Sequence, residues 1–144
     1  MYAKQLSVFI ENREGRLEQV LEVLKQCNVN ILSLSLADTS DYGLLRLIVD
    51  NPETGYSHLT ENGFSAILTD LIIVKISHKP GSLQQLLKFL SNSNINVEYM
   101  YGLTVSGSEA SVAMKVSDFE ATRKIMDEIG VEELLSDDIS KLNS

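Results

Sequence analysis

Two stretches combine polar side chains that can grip a small molecule with glycines that let it come close. They are Ile10-Glu11-Asn12-Arg13-Glu14-Gly15-Arg16-Leu17 and Ile76-Ser77-His78-Lys79-Pro80-Gly81-Ser82-Leu83. Asn12 can both donate and accept hydrogen bonds, so it suits either the carboxylate or the ammonium group of an amino acid. His78 holds the equivalent place in the second stretch, with a charge that changes near neutral pH. Arg13, Arg16 and Lys79 add positive charge, and Ser82 adds a hydroxyl. Gly15 and Gly81 allow a sharp turn and leave no Cβ in the way of a ligand. A helix starting at either glycine would aim unpaired N–H groups and a positive dipole end at an anion. Leu17 and Leu83 belong to the core and stand close enough to touch a bound molecule. The chemistry on offer is binding.

Catalysis finds little support. The chain has no nucleophile elbow, metalloprotease helix, phosphate-binding loop or cysteine pair. His58 and His78 lie in different halves, without a carboxylate or cysteine partner close in sequence. Cys27 is the only cysteine, so one chain can form neither a disulfide framework nor a thiolate cluster. We therefore expect no catalytic residues, no metal site and no cofactor. A net charge of −8 repels phosphate backbones and anionic membranes at long range. RNA-recognition domains of similar element order need aromatics on their first and third strands, and Phe9 alone does not meet that need. No nucleic-acid or membrane partner is expected. No apolar run approaches the ~18 residues that span a bilayer. The chain begins Met-Tyr-Ala-Lys-Gln and goes straight into a strand pattern, so a cytoplasmic location is expected.

The elements that must position the two stretches follow from periodicity. Residues 4–11 alternate, with Leu6, Val8 and Ile10 on one face and Ser7, Phe9 and Glu11 on the other. Leu17, Val20, Leu21 and Leu24 then recur at helical spacing until Asn28-Val29-Asn30. Residues 31–37 and 44–49 read as a hairpin, with Leu32, Leu34 and Leu36 on its inner face. Pro52 suits the first turn of a helix capped by Asp50 or Asn51, although Gly55 and Thr54 weaken it. Phe64–Thr69 is a fourth strand. The second half repeats the order: a strand with Ile72, Val74 and Ile76, a helix with Leu83, Leu86, Leu87 and Leu90, a hairpin over 97–106 and 110–116, a helix capped by Asp118 and ended by Gly130, a short strand at 131–135, and a polar tail from Ser136.

The repetition extends to residue identity. At a spacing of 66, Gly15/Gly81, Leu17/Leu83, Gln19/Gln85, Leu21/Leu87, Leu24/Leu90, Asn28/Asn94 and Asn30/Asn96 coincide. The chain is thus an internal duplication, with domains expected at 1–69 and 70–144 and almost no linker. Each β-α-β-β-α-β half should close as an antiparallel sheet with both helices on one face, an α+β, ferredoxin-like fold.

A strand, a loop ending in Gly-x-Leu, an amphipathic helix and then Asn-Val/Ile-Asn resembles the ACT domain. The carriers are Asn12-Arg13-Glu14-Gly15-Arg16-Leu17 with Asn28-Val29-Asn30-Ile31, and His78-Lys79-Pro80-Gly81-Ser82-Leu83 with Asn94-Ile95-Asn96-Val97. The resemblance covers both halves and is closest to stand-alone tandem ACT proteins. It departs from the pattern at Glu14, where the second copy has Pro80. It implies a non-catalytic regulatory protein that binds a free amino acid at the strand–helix loops, at an interface between ACT domains. The ligand set would be Asn12, Arg13, Gly15, Arg16, Leu17, His78, Lys79, Gly81, Ser82 and Leu83. The alternative is a ligand-free regulatory or assembly subunit of a separate enzyme of amino-acid metabolism. Open sheet faces and edge strands make a homodimer the expected assembly in either case.

Overall fold

The computed structural model describes all residues except 12, 39–40, 78, 104–108 and 142–144. The chain divides into two compact units. An N-terminal unit takes Lys4–Asp70 and the residues from Asp137, and a C-terminal unit takes Met1–Ala3 and Leu71–Ser136.

In the N-terminal unit, strand β1 (Ala3–Glu11) leads to helix α1 (Arg16–Gln26), the hairpin β2 (Ile31–Asp38) and β3 (Tyr42–Val49), and helix α2 (Pro52–Glu61). The alternation of β1 buries Leu6, Val8 and Ile10, which meet Val20, Val23 and Leu24 of α1 and Leu59 of α2. On β3, Leu47 pairs with Leu6 and Leu45 with Val8. On β2, Leu34 and Leu36 pair with the same two β3 residues from the other side. Strand β4 (Ser65–Ser77) lies next to β1. Its residues 73–75 are already flanked on both sides by strands of the C-terminal unit, so β1 takes its earlier part.

The later part of β4 opens the C-terminal unit. Helix α3 (Ser82–Asn92), strands β5 (Val97–Gly102) and β6 (Glu109–Val116), helix α4 (Phe119–Ile129) and strand β7 (Glu132–Leu134) follow. β6 and β7 flank β4, and β5 pairs with β6. Leu86 and Leu90 of α3 and Met126 of α4 pack with Ile72, Val74, Val112 and Met114. Each unit is therefore a four-stranded antiparallel sheet with two helices on one face, the ferredoxin-like order expected from the repeat.

Four details differ from the reading of the sequence. The strands expected at 64–69 and 72–76 are one strand of 13 residues, because nothing from Ser65 to Ser77 breaks an extended backbone. The polar tail is helical: α5 (Ser136–Lys141) buries Ile139, and a single apolar residue gives no period to detect. Gly55 has a packing role that helix propensity does not show. It is buried, and a Cβ there would meet Leu6 at 3.1 Å and Leu24 at 3.2 Å, so the glycine lets the helix lie close on the core. Leu34 and Leu36 do face the helix side, yet they are 53% and 49% exposed because β2 is an edge strand beyond the helices' cover.

Candidate functional site

Both loops are built by the same backbone chemistry. In the first, the amide of Arg13 donates to the carbonyl of Glu11, that of Arg16 to Arg13, and that of Gln19 to Gly15. In the second, Lys79 donates to Ser77, Ser82 to Lys79, and Gln85 to Gly81. Gly15 and Gly81 sit at φ 84° and 87°, both with ψ −12°, the left-handed region that disfavours a side chain. A Cβ at either would meet nothing within 4 Å. The N-cap position of α1 and α3 is glycine, which has no side chain to accept from the first-turn N–H groups.

The expected ligand residues fall into distinct settings. Asn12 and His78 lie outside the described residues. Arg13 is exposed and its Nε lies 3.1 Å from Oε2 of Glu11. Arg16 turns onto its own unit. Its guanidinium carbon stands 4.4 Å from the centre of the Phe64 ring, its Nη1 donates to Oε1 of Gln19 at 2.7 Å, and its Nε is buried without a hydrogen-bond partner. Leu17 and Leu83 are half-buried against their respective cores. Ser82 is half-buried at the start of α3, whereas Lys79 is exposed.

The second loop borders two hollows. One of about 480 Å³ runs along the outer side of α3, past Gly81, Gln84, Gln85 and Lys88. The other, about 390 Å³, lies inward between the loop, the end of β4 and the start of β6. Its walls include Ile76, Pro80, Leu83, Ala110 and Val112, and Lys79 stands at its edge. The size matches small-molecule clefts, which run from roughly 300 to 1,000 Å³. Ala110 and Val112 do not stand out in the sequence. They are ordinary strand residues, brought to the loop only because Ile76 pairs with Ala110 and Val74 with Val112.

A second polar cluster, also not legible in the sequence, lies on α4. Arg123 makes two hydrogen bonds to Glu133, at 2.7 and 2.9 Å, and its guanidinium carbon stands 3.6 Å from the centre of the Tyr2 ring. Tyr2 also stacks obliquely on Phe119 and donates to Glu120. Burial and the bond to Glu120 raise the Tyr2 phenol above its usual pKa, against the opposing pull of Arg123. The bonds to Glu133 raise Arg123 further. This cluster ties the first residues of the chain to the C-terminal unit. Among the described residues, no group of three histidine, cysteine or carboxylate side chains could hold a metal ion. Nor is any helix among them long and apolar enough to cross a membrane.

The model of the ACT domain pair family matches residues 1–142. The chain belongs to the ACT domain pair family. Among solved structures, a protein from Bacteroides thetaiotaomicron is 37% identical, with 99% of this chain and 98% of that one covered, at a TM-score of 0.93. The regulatory subunit of aspartate kinase from Thermus thermophilus, in its ligand-free form, shares the fold. Its TM-score is 0.64 at 17% identity, over 88% of this chain and 93% of that one. The corresponding subunit from Thermus flavus gives 0.59 at 16%, over 89% and 92%. No curated protein matches the chain.

Proposed function

We propose that this ACT domain pair is a non-catalytic regulatory protein whose ligand is a free amino acid, bound at the loops between the first strand and first helix of its domains. The observation that carries this reading is the pair of left-handed glycines. Each stands at the N-cap of its helix with no side chain of its own to cap it, and with space where a Cβ would be. The amides suit a carboxylate, and the neighbouring polar side chains suit an ammonium group. Ligand binding regulates by favouring the state it binds better, and a chain without catalytic machinery passes that preference to a partner protein or to its own assembly. We take the working form to be a cytoplasmic homodimer, and the partner to be an enzyme of amino-acid metabolism. The fold is shared with the regulatory subunits of aspartate kinase, which supports that choice.

A thermal-shift screen of the purified protein against the twenty amino acids tests the reading. A ligand at 100 times its dissociation constant adds about 2.7 kcal/mol to the folded state. For a chain of this size the melting point should rise by roughly 5–10 °C. Silence from all twenty amino acids would reject it. The exposed edge strand with Leu34 and Leu36 supports a second reading, a ligand-free assembly subunit, for which co-purification with a partner enzyme is the test.

A further inference from the structure

The two copies share a loop backbone but not the side chains around it. The difference comes from three pairs of equivalent residues. Gly102 of β5 lies opposite Val112, just as Leu36 of β2 lies opposite Leu45 in the other unit. In the N-terminal unit, a Cβ on Gly43 would meet Leu36 Cδ1 at 3.3 Å and Ile10 Cγ1 at 3.4 Å, so the Leu36 side chain reaches this corner. In the C-terminal unit the corner is lined by Ala110 and Ile76, and a Cβ at Gly102 would meet nothing within 4 Å. The inner hollow of about 390 Å³ lies at this corner.

Charge diverges in the same direction. Arg13 is paired with Glu11, and the corresponding neighbours in the second copy are Lys79 and Ser77, so the carboxylate of the first loop is a hydroxyl in the second. Glu14 is replaced by Pro80, which turns a charged wall into an apolar one. The second loop thus presents a cation at the rim of an apolar hollow, while in the first the cation is paired and Leu36 stands at the corresponding corner.

From this divergence we infer that the second loop is the specific site, and that it takes amino acids with aliphatic side chains. The side chain enters between Leu83, Pro80, Ala110 and Val112, and the carboxylate faces Lys79. An apolar wall favours each buried methylene and penalises a polar side chain that cannot find a partner there. The inference rests on the amino-acid reading above and narrows it to one loop and one class.

Titration calorimetry on the intact chain tests it, using L-leucine, L-isoleucine and L-valine against L-serine, L-aspartate and L-lysine. The aliphatic acids should bind with one molecule per chain, and the polar ones about tenfold more weakly or worse. Gly102→Leu, which installs in the second copy the residue that stands at the corresponding corner of the first, should weaken binding by about tenfold or more. Ala110→Leu, which enters the same hollow from β6, should do likewise. Leu36→Ala should leave binding unchanged. Preference for a polar amino acid, two molecules per chain, or undiminished binding by a folded Gly102→Leu or Ala110→Leu protein would each overturn this inference while leaving the amino-acid reading standing. The preference and the stoichiometry are read on the unmodified chain and need no variant to fold. Absence of binding by any of the twenty would overturn both.

Discussion

Gly81 occupies a backbone conformation that costs a residue with a side chain about 1–2 kcal/mol, yet an added methyl group there would touch nothing. Gly81→Ala should therefore lower the melting point by a few degrees through backbone strain alone. Asparagine, which tolerates this region better, should recover part of the loss. An unchanged melting point for the alanine variant would mean that the loop does not hold this geometry in solution. Tyr2 offers a second test at the same scale. Its folded pKa is raised, so its contribution is complete below about pH 10 and is lost as pH climbs through the folded value. In urea titrations above pH 10, Tyr2→Phe should lose less stability per pH unit than the parent. Parallel alkaline limbs would show that the phenol is not perturbed. At this scale the sequence displayed the glycines and their polar neighbours, because turn chemistry is local. It did not show that Arg16 leans on Phe64, which lies 48 residues further along the chain.

The ends of α2 and α4 were legible, because these helices carry their own start and stop signals. Asn51 accepts the amide of Thr54, and Asp118 accepts that of Ala121, with Gly130 closing α4 in the left-handed region. Replacing either cap by alanine should cost about 1 kcal/mol, read from the shift in urea midpoint. Gly55 shows where local rules mislead. Helix propensity alone ranks it below alanine, but its contacts with Leu6 and Leu24 set how closely α2 approaches β1 and α1. Gly55→Val should destabilise the N-terminal unit by about 1–3 kcal/mol despite removing a glycine from a helix. A neutral or stabilising result would show that α2 can shift outward without loss. The continuous β4 and the short α5 were missed for a related reason: neither carries a period or a punctuating residue at the place that matters.

For the whole molecule, the ends of the chain are exchanged between the units. Met1–Ala3 belong with the C-terminal half, and the residues from Asp137 belong with the N-terminal half. Tyr2→Ala removes the stack on Phe119 and the ring beneath Arg123, contacts worth about 0.5–1.5 kcal/mol apiece. Hydrogen exchange should then speed up in α4 while the amides of α1 and α2 keep their protection. Ile139→Ala should do the reverse, loosening the N-terminal unit by about 2–4 kcal/mol through the vacated space. Uniform loss of protection in either variant would show that the two termini are not anchored in different units.

By itself the sequence determined that the chain is a duplication, that each half is a β-α-β-β-α-β unit, and that glycine-hinged loops open the first helix of each. Those features depend on periodicity, turn chemistry and repeated identities, all of which act over a few neighbouring residues. Tertiary structure alone decided which of the differing residues meet. Leu36 stands beside Gly43, and Gly102 beside Val112, because strand pairing joins residues that are remote in the chain. The same holds for α5 and for Tyr2, whose partners were fixed by packing at a distance and not by their neighbours in sequence.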